Sequence, residues 1–275
     1  MTGAALLLAC TSRPALQTVN DITPLVRAER AFAAETAAHG WNAGVRAFAA
    51  SDAVIANPLP VSALASLDPA QDTPAGSPLQ WRPAFAGMAR SGDLGFTSGP
   101  YFLRDKGYVG HYFTVWRRDP DGRWKWIFDG GVNVRDDAPQ AADAAVTSLP
   151  PSSPAGDGTT ALTVVRSLEA ELAAAAGTDA ASALLPRIAV DARVNRAAST
   201  RAEGRQAAKV LLARHTSAIR FAPANLVASQ AGDLVFAYGR ADWNDDGDRV
   251  GSYARIWQLR RDGWWVVYDQ LVPPR

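Results

Sequence analysis

Between Thr23 and His39 the chain sets Leu25, Ala28, Phe32 and Thr36 on one stripe at helical spacing. That pattern predicts an amphipathic helix with Thr23 as its cap and Pro24 in its first turn. Gly40 closes it, and a short second helix over about Ala43 to Ala50 leads into an extended stretch, Ser51 to Pro58, that ends in a proline turn. After a Pro-, Ala- and Asp-rich loop from Leu59 to Ser77 the period becomes alternating. Strands are predicted over about Gln80 to Ala89, Leu94 to Leu103, Tyr108 to Arg117 and Arg123 to Val132, with Asp119-Pro120-Asp121-Gly122 as a hairpin turn. Leu162 to Ala176 then opens the series again, with Val165, Leu168 and Leu172 as its stripe. Ala181 to Asn195 follows as the second extended stretch. Gly204 to His215 predicts a helix with Ala207, Val210 and Leu211 apolar, where the first series has its loop, and Arg220 to Ser229 begins the second set of strands.

The two series are copies. SGDLGFTSGPYFLRDKGYVGHYFTVWRRDPDGRWKWIFD, from Ser91 to Asp129, lies on AGDLVFAYGRADWNDDGDRVGSYARIWQLRRDGWWVVYD, from Ala231 to Asp269, at an offset of about 140 residues. Gly92-Asp93-Leu94 falls on Gly232-Asp233-Leu234, Tyr112 on Tyr253, Trp116 on Trp257 and Trp124 on Trp264; further upstream, Glu29 falls on Glu169 and Asp52-Ala53 on Asp191-Ala192. The organisation read from this is an N-terminal tail over 1–22, one α+β domain over 23–135, a linker over 136–160 and a second α+β domain over 161–275. The linker is Pro-, Ala- and Ser-rich and without periodicity, and as a coil it would span on the order of 30 Å.

A net charge of +1, from 28 basic and 27 acidic residues, leaves no electrostatic footprint for nucleic acid, so a small or apolar partner is expected. The single cysteine, Cys10, follows an apolar run, and Leu7-Leu8-Ala9-Cys10 resembles the lipobox of bacterial lipoproteins. That resemblance implies an exported protein, periplasmic or membrane-anchored, with Cys10 lipidated; the alternative is a frayed terminus with an inert thiol. No later run approaches the roughly 20 apolar residues of a spanning helix. There is no Gly-rich phosphate loop, nucleophile elbow or CxxC, so no cofactor is expected. Three histidines without ligand spacing give no metal site, and His39 and His215 are expected to be exposed at helix ends. Asn244-Asp245-Asp246-Gly247-Asp248 lacks the downstream glutamate of a calcium loop and reads as a solvated turn.

Helix, short helix, extended "DA…NP" turn, then a long meander opened by Gly-Asp-Leu and closed by tryptophans resembles the NTF2-like superfamily, and within it the SnoaL-like and DUF4440 branch to which ketosteroid isomerase is related. The resemblance covers about 23–134 and 161–272. It implies a tandem of two cystatin-like cones, each a curved antiparallel sheet closed by helices over a pocket. It also implies sheet-to-sheet pairing, within the chain or between two copies. It does not imply isomerase chemistry: where that family has its Asp base, helix-one Tyr and strand Asp, this chain has Asn57, Phe32 and Thr114, and in the second copy Arg196, Leu172 and Arg255.

Strand alternation puts Tyr112, Thr114 and Trp116 on one face with Trp124, Trp126 and Phe128, as an aromatic core or a slot for a flat ligand. In the second copy Tyr253, Arg255 and Trp257 share the face. A buried Arg255 needs an anion, either Asp242 or an acidic group on a ligand. The same register sets His111 nearly opposite Asp129 on the other face, either an ion pair or half of a general-base arrangement. The reading this favours is a binder of a small apolar or amphipathic molecule without catalysis; a SnoaL-like enzyme using a pocket carboxylate, and an assembly scaffold, are the alternatives.

Overall fold

The computed structural model of the protein describes residues 21–56, 58–71, 76–135, 141, 143–152, 156–214, 218–243 and 249–273. In the first half α1 (Thr23–His39) and α2 (Trp41–Phe48) precede β1 (Ala49–Ala56), β2 (Pro60–Ser62), β3 (Leu79–Trp81), β4 (Phe85–Met88), β5 (Leu94–Leu103), β6 (Gly107–Arg118), β7 (Trp124–Val132) and β8 (Thr147–Ser148). These strands form a sheet in the order β2-β1-β7-β6-β5-β4-β8, with β3 beside β5. The second half runs α3 (Gly158–Ala176), α4 (Ala180–Leu184), β9 (Ile188–Arg196), β10 (Ala202–Glu203), α5 (Arg205–Ala213), β11 (Ile219–Ala228), β12 (Leu234–Trp243), β13 (Arg249–Arg260) and β14 (Gly263–Val272). Its sheet order is β10-β9-β14-β13-β12-β11. Each half is a curved sheet with helices closing one side.

The sheets are mixed, which corrects the expectation of a wholly antiparallel one. β1 pairs β7, and β9 pairs β14, in parallel. Neither pair is joined by a hairpin; the intervening meander carries the chain across the sheet and back, so the direction is free to be parallel.

α1 covers the expected residues, but Thr23 is already helical and its N-cap is Ile22, with Asp21 Oδ1, one residue earlier, accepting the Thr23 N–H at 2.9 Å. In α3 the N-cap is Asp157 itself, accepting from the Thr160 N–H at 2.9 Å. The inward stripe of α1 is Leu25, Val26, Glu29, Phe32 and Thr36, and that of α3 is Ala161, Val165, Glu169, Leu172 and Ala176. A glutamate thus sits in the middle of each apolar stripe. In α5 the buried residues are Ala208, Leu211 and Leu212, and Val210 is 57% exposed, so this helix is turned away from the face expected for it. The strand expected over Gln80 to Ala89 is split into β3 and β4 around Arg82-Pro83-Ala84, whereas β11 stays continuous and takes up Pro223 in a bulge.

Part of the stretch expected to be coil is structured. Thr147-Ser148 pairs in parallel with Phe85-Ala86, Leu149 is buried, and the Gln258 side chain donates to the Pro150 carbonyl at 2.8 Å. Cys10, His215 and Asn244 to Asp248 lie outside the described residues. His39 is exposed at the end of α1 and meets Glu35 at 3.0 Å. No helix among the described residues is long and apolar enough to cross a membrane.

The outer faces of the two sheets pack on one another. Tyr268 stacks on Phe113 with centroids 4.1 Å apart and planes at 9°. Phe96 meets Tyr268 at 6.0 Å, and the same contact is made in reverse by Phe236 and Phe128 at 5.0 Å. Such reciprocity is the signature of a two-fold relation between copies. It recurs at the Gly-Asp-Leu turns: Asp233 Oδ2 accepts the Arg90 N–H, and Asp93 Oδ2 accepts the Gln230 N–H, each at 3.0 Å. The turns therefore serve as crossed caps between the halves. Asp233 is the more deeply buried and also holds Ser229 Oγ at 2.9 Å. Replacing Asp233→Ala should lower unfolding stability by about 1–3 kcal/mol, the cost of leaving buried donors unpaired. Asp93→Ala should cost less, and equal losses in denaturant titrations would contradict this ranking.

Candidate functional site

Inside the first cone α1 brings Glu29, fully buried, against the inner face of the sheet. Its Oε1 accepts the Trp81 indole N–H at 2.5 Å, and its Oε2 accepts the Trp116 indole N–H at 2.9 Å and the Thr97 hydroxyl. Burial raises the Glu29 pKa, and these three donors oppose the rise without cancelling it. Phe32 packs against Trp81, Trp116 and Trp126 at centroid distances of 4.9, 6.2 and 5.8 Å. Trp116 and Trp126 are fully buried in this apex, so of the aromatic slot read from the sequence, these two belong to core.

Nearer the mouth the packing stops and a cavity of about 470 Å³ opens, walled by Trp41, Ile55, Leu79, Trp81, Tyr101 and Tyr112 and floored by Asp129, Gly130 and Gly131. Tyr112 is 6% exposed, and its hydroxyl makes no hydrogen bond of normal geometry among the described residues, the Thr97 hydroxyl being the polar group beside it. Burial raises the Tyr112 pKa, so the hydroxyl stays protonated and available as a donor. Asp129 is half-buried and lines the cavity, and Thr114 Oγ1 donates to its Oδ1 at 2.7 Å. Burial pushes the Asp129 carboxyl up to about 8, the Thr114 donor works against this, and the nearby Glu29 carboxylate adds to it.

Asp129 does not face His111. A bulge in β7, between the Trp116–Trp126 and Val115–Phe128 pairs, shifts the register so that Thr114 stands opposite Asp129 and His111 opposite Val132. The bulge turns Asp129 into the cone and Phe128 out of it, onto Phe236. His111 sits between the halves, where Arg201 Nη1 meets its Nε2 at 2.9 Å, beside a separate 260 Å³ cavity that Arg193 and Asn195 also line. The acid–base pairing of these two residues is therefore ruled out by the register. Among the described residues no group of three or more His, Cys, Asp or Glu side chains is arranged to hold a metal ion.

The centre of the second cone is occupied by charge. Arg255, fully buried, donates from Nη1 to Glu169 Oε2 at 2.9 Å and from Nε to Asp269 Oδ1 at 2.6 Å; its partner is not Asp242, which pairs with Arg240. Arg196 reaches Asp269 Oδ2 at 2.6 Å. The Trp257 indole and the Tyr253 hydroxyl donate to Glu169 at 2.7 and 3.2 Å. The Arg255 guanidinium lies over the rings of Phe221 and Tyr253, 4.3 Å from each centroid. Although burial alone would raise the Asp269 pKa, Arg196 and Arg255 hold it below its ordinary value. Tyr253, Arg255 and Trp257 are thus buried within this network of charges and rings.

The residues that sequence reasoning missed are Glu29, Trp41, Trp81, Tyr101 and the inward placement of Asp129. One signal was present for the first: a carboxylate at the same position of both copies, in the middle of an apolar stripe.

Two outcomes follow for substitutions in the cones. Arg255→Met leaves Glu169 and Asp269 buried without their shared cation and should cost about 3–5 kcal/mol by chemical denaturation; a loss under 1 kcal/mol would contradict the network. For Asp129, the native state keeps its proton between the ordinary carboxylate range and about pH 8 while the unfolded chain does not. Ionisation therefore subtracts stability as pH rises through that window, at up to about 1.4 kcal/mol per pH unit. Asp129→Asn lacks this loss, so its stability relative to wild type should rise from pH 5 to pH 8, and a flat difference would contradict the raised pKa.

No family model matches the chain, and no curated protein does. Among solved structures the chain is similar to an NTF2-like protein of unknown function from Pseudomonas putida KT2440, at 18% identity and a TM-score of 0.37 over 42% of this chain and 88% of that one. An NTF-2 like protein from Shewanella oneidensis MR-1 matches at 10% identity and a TM-score of 0.35, over 40% and 97%. An NTF2-like protein with a cystatin-like fold from Novosphingobium aromaticivorans matches at 19% and 0.34, over 41% and 81%. These likenesses say nothing about activity. Each half of the chain has one element order: two helices, a parallel-paired extended strand, then a long antiparallel meander curved around an inward carboxylate. The chain is a tandem of two such α+β cones, and this order agrees with the NTF2-like resemblance read from the sequence.

Proposed function

We propose that the first cone is the working half and binds a small, largely apolar molecule, while the second is a closed partner that supports it. The observation that carries this reading is the 470 Å³ cavity with aromatic walls and one carboxylate in its floor. The volume is within the range of small-molecule sites, and few polar groups converging among apolar walls is their usual make-up. The ligand's apolar body lies against Trp41, Leu79 and Trp81, and its polar group meets Asp129 and Tyr112.

A second reading has its own observation. A carboxyl raised to about 8 next to a protonated phenol is a proton-transfer arrangement at neutral pH. On that reading Asp129 takes or gives the proton and Tyr112 donates to the oxygen on which charge develops. The groups are those of general acid–base chemistry, and they favour a pocket carboxylate over the His111 alternative.

A flat neutral probe, 2-naphthol, should quench tryptophan fluorescence saturably in wild type. Ile55→Trp, which narrows the cavity, should weaken this binding at least tenfold, and Tyr253→Phe in the closed cone should leave it unchanged. Binding unaffected by Ile55→Trp would place the probe elsewhere and contradict the reading.

A further inference from the structure

The two cones differ at their centre in their cations, and the difference points to a ligand class. In the second cone the Arg255 side chain behaves as a tethered ligand. Its guanidinium lies over the edge-to-face pair of Phe221 and Tyr253 and is bonded to Glu169 and Asp269. Every part of that cradle has a counterpart in the first cone. Glu29 answers Glu169, Trp81 answers Phe221, and Tyr112 answers Tyr253 in the repeat. Asp129 stands opposite Thr114 in the sheet as Asp269 stands opposite Arg255. The Arg255 cation is missing, because Thr114 occupies its position.

The open volume lies where such a cation would go: Trp81, Tyr112 and Asp129 all line the cavity. Glu29, behind them, is provided for by the indoles of Trp81 and Trp116 and by Thr97. Asp129 is the carboxylate left short. Among the described residues it has one donor, from Thr114, where Asp269 has two guanidinium groups. None of the described residues lining the cavity is basic, so an anionic ligand would meet Asp129, with Glu29 behind it, uncompensated.

Resting on the reading of the first cone as a ligand site, we infer that its ligand is an organic cation, a guanidinium, amidinium or amine on a small apolar body. The charged group sits over the edge-to-face pair of Trp81 and Tyr112 and against Asp129, in the place that Arg255 fills in the second cone. An aromatic pair and a desolvated carboxylate are the two components that recognise such ions.

The seating of the cation has a proton balance. At neutral pH the free Asp129 holds its proton, so a bound cation displaces that proton to the buffer and leaves an ion pair. The groups facing Asp129 are Thr114 and Tyr112 from β6 and Glu29 from α1, with apolar Ile55 opposite on β1. Tyr112 stays neutral throughout, and the Glu29 charge favours the cation without contacting it. Affinity for a permanently charged probe should therefore rise about tenfold per pH unit up to pH 8 and then level off.

The test uses a matched pair on the full chain, benzamidine and its neutral isostere benzamide, by calorimetry at pH 6 and pH 8 in buffers of different ionisation enthalpy. Benzamidine should bind at least tenfold more tightly than benzamide at pH 8, lose that preference at pH 6, and release a proton on binding at pH 7. Asp129→Asn should abolish the preference while keeping benzamide binding. Thr114→Arg, which supplies the cation from the chain, should exclude benzamidine; should that variant not fold, Asp129→Asn decides alone. Equal binding of the two probes to wild type overturns the cation inference and leaves the cone as a site for neutral ligands. Binding of neither probe, nor of 2-naphthol, overturns both. A preference for benzamidine that survives in Asp129→Asn also overturns the inference, because the cation would then sit elsewhere.

Discussion

A glutamate is buried at the inner face of the first helix of each half, and the way its charge is met decides what each cone can do. Burying a carboxylate in an apolar interior is costly unless donors or cations surround it. In the second half the chain supplies Arg255, which reaches both Glu169 and Asp269, and Arg196, which completes Asp269. Two cations then face two anions. In the first half the same two carboxylates are met, among the described residues, by neutral donors, the indoles of Trp81 and Trp116 and the hydroxyls of Thr97 and Thr114. That cone keeps a cavity and a carboxyl whose pKa is far from its ordinary value.

The closed half has a mechanical part to play as well. Tyr268, on its outer face, stacks on Phe113 and shares hydrogen bonds with Asn195 and Gln270 at 3.0 Å each. Phe113 lies on the outer face of β6, the strand that presents Tyr112 and Thr114 inward. The second half thus backs the strand that shapes the first cone's pocket. Asp93 and Asp233 hold the two halves in register by capping each other's turns. A floor built this way keeps Asp129 in place without a ligand, which is the preorganisation that tight binding of a small molecule requires.

The fold was legible because its signals are local or repeated. The Leu25–Phe32 stripe, the hairpin turn at Asp119 to Gly122 and the offset between Asp129 and Asp269 each required only a short window or a self-comparison. The site was less so, for two physical reasons. A one-residue bulge in β7 reverses the facing of every later side chain, so strict alternation put Asp129 on the wrong side of the sheet and beside His111. The glutamates of α1 and α3 look like polar punctuation in an apolar stripe, since a sequence shows a charge without its compensation. Arg255 was recognised as needing an anion, yet its partners come from α3 and β14 and not from the neighbouring strand that carries Asp242. Such contacts across the fold leave no local trace.

The account rests on Asp129 being a desolvated, uncompensated carboxyl while its counterpart is ion-paired. The most direct measurement is the pH titration of the side-chain carboxyl carbon of Asp129 by NMR on the full chain, with Asp269 followed in the same spectra. The account predicts an Asp129 midpoint near 8 and an Asp269 signal already ionised below the ordinary carboxylate range. An Asp129 midpoint near 4, matching a solvated carboxylate, would contradict it.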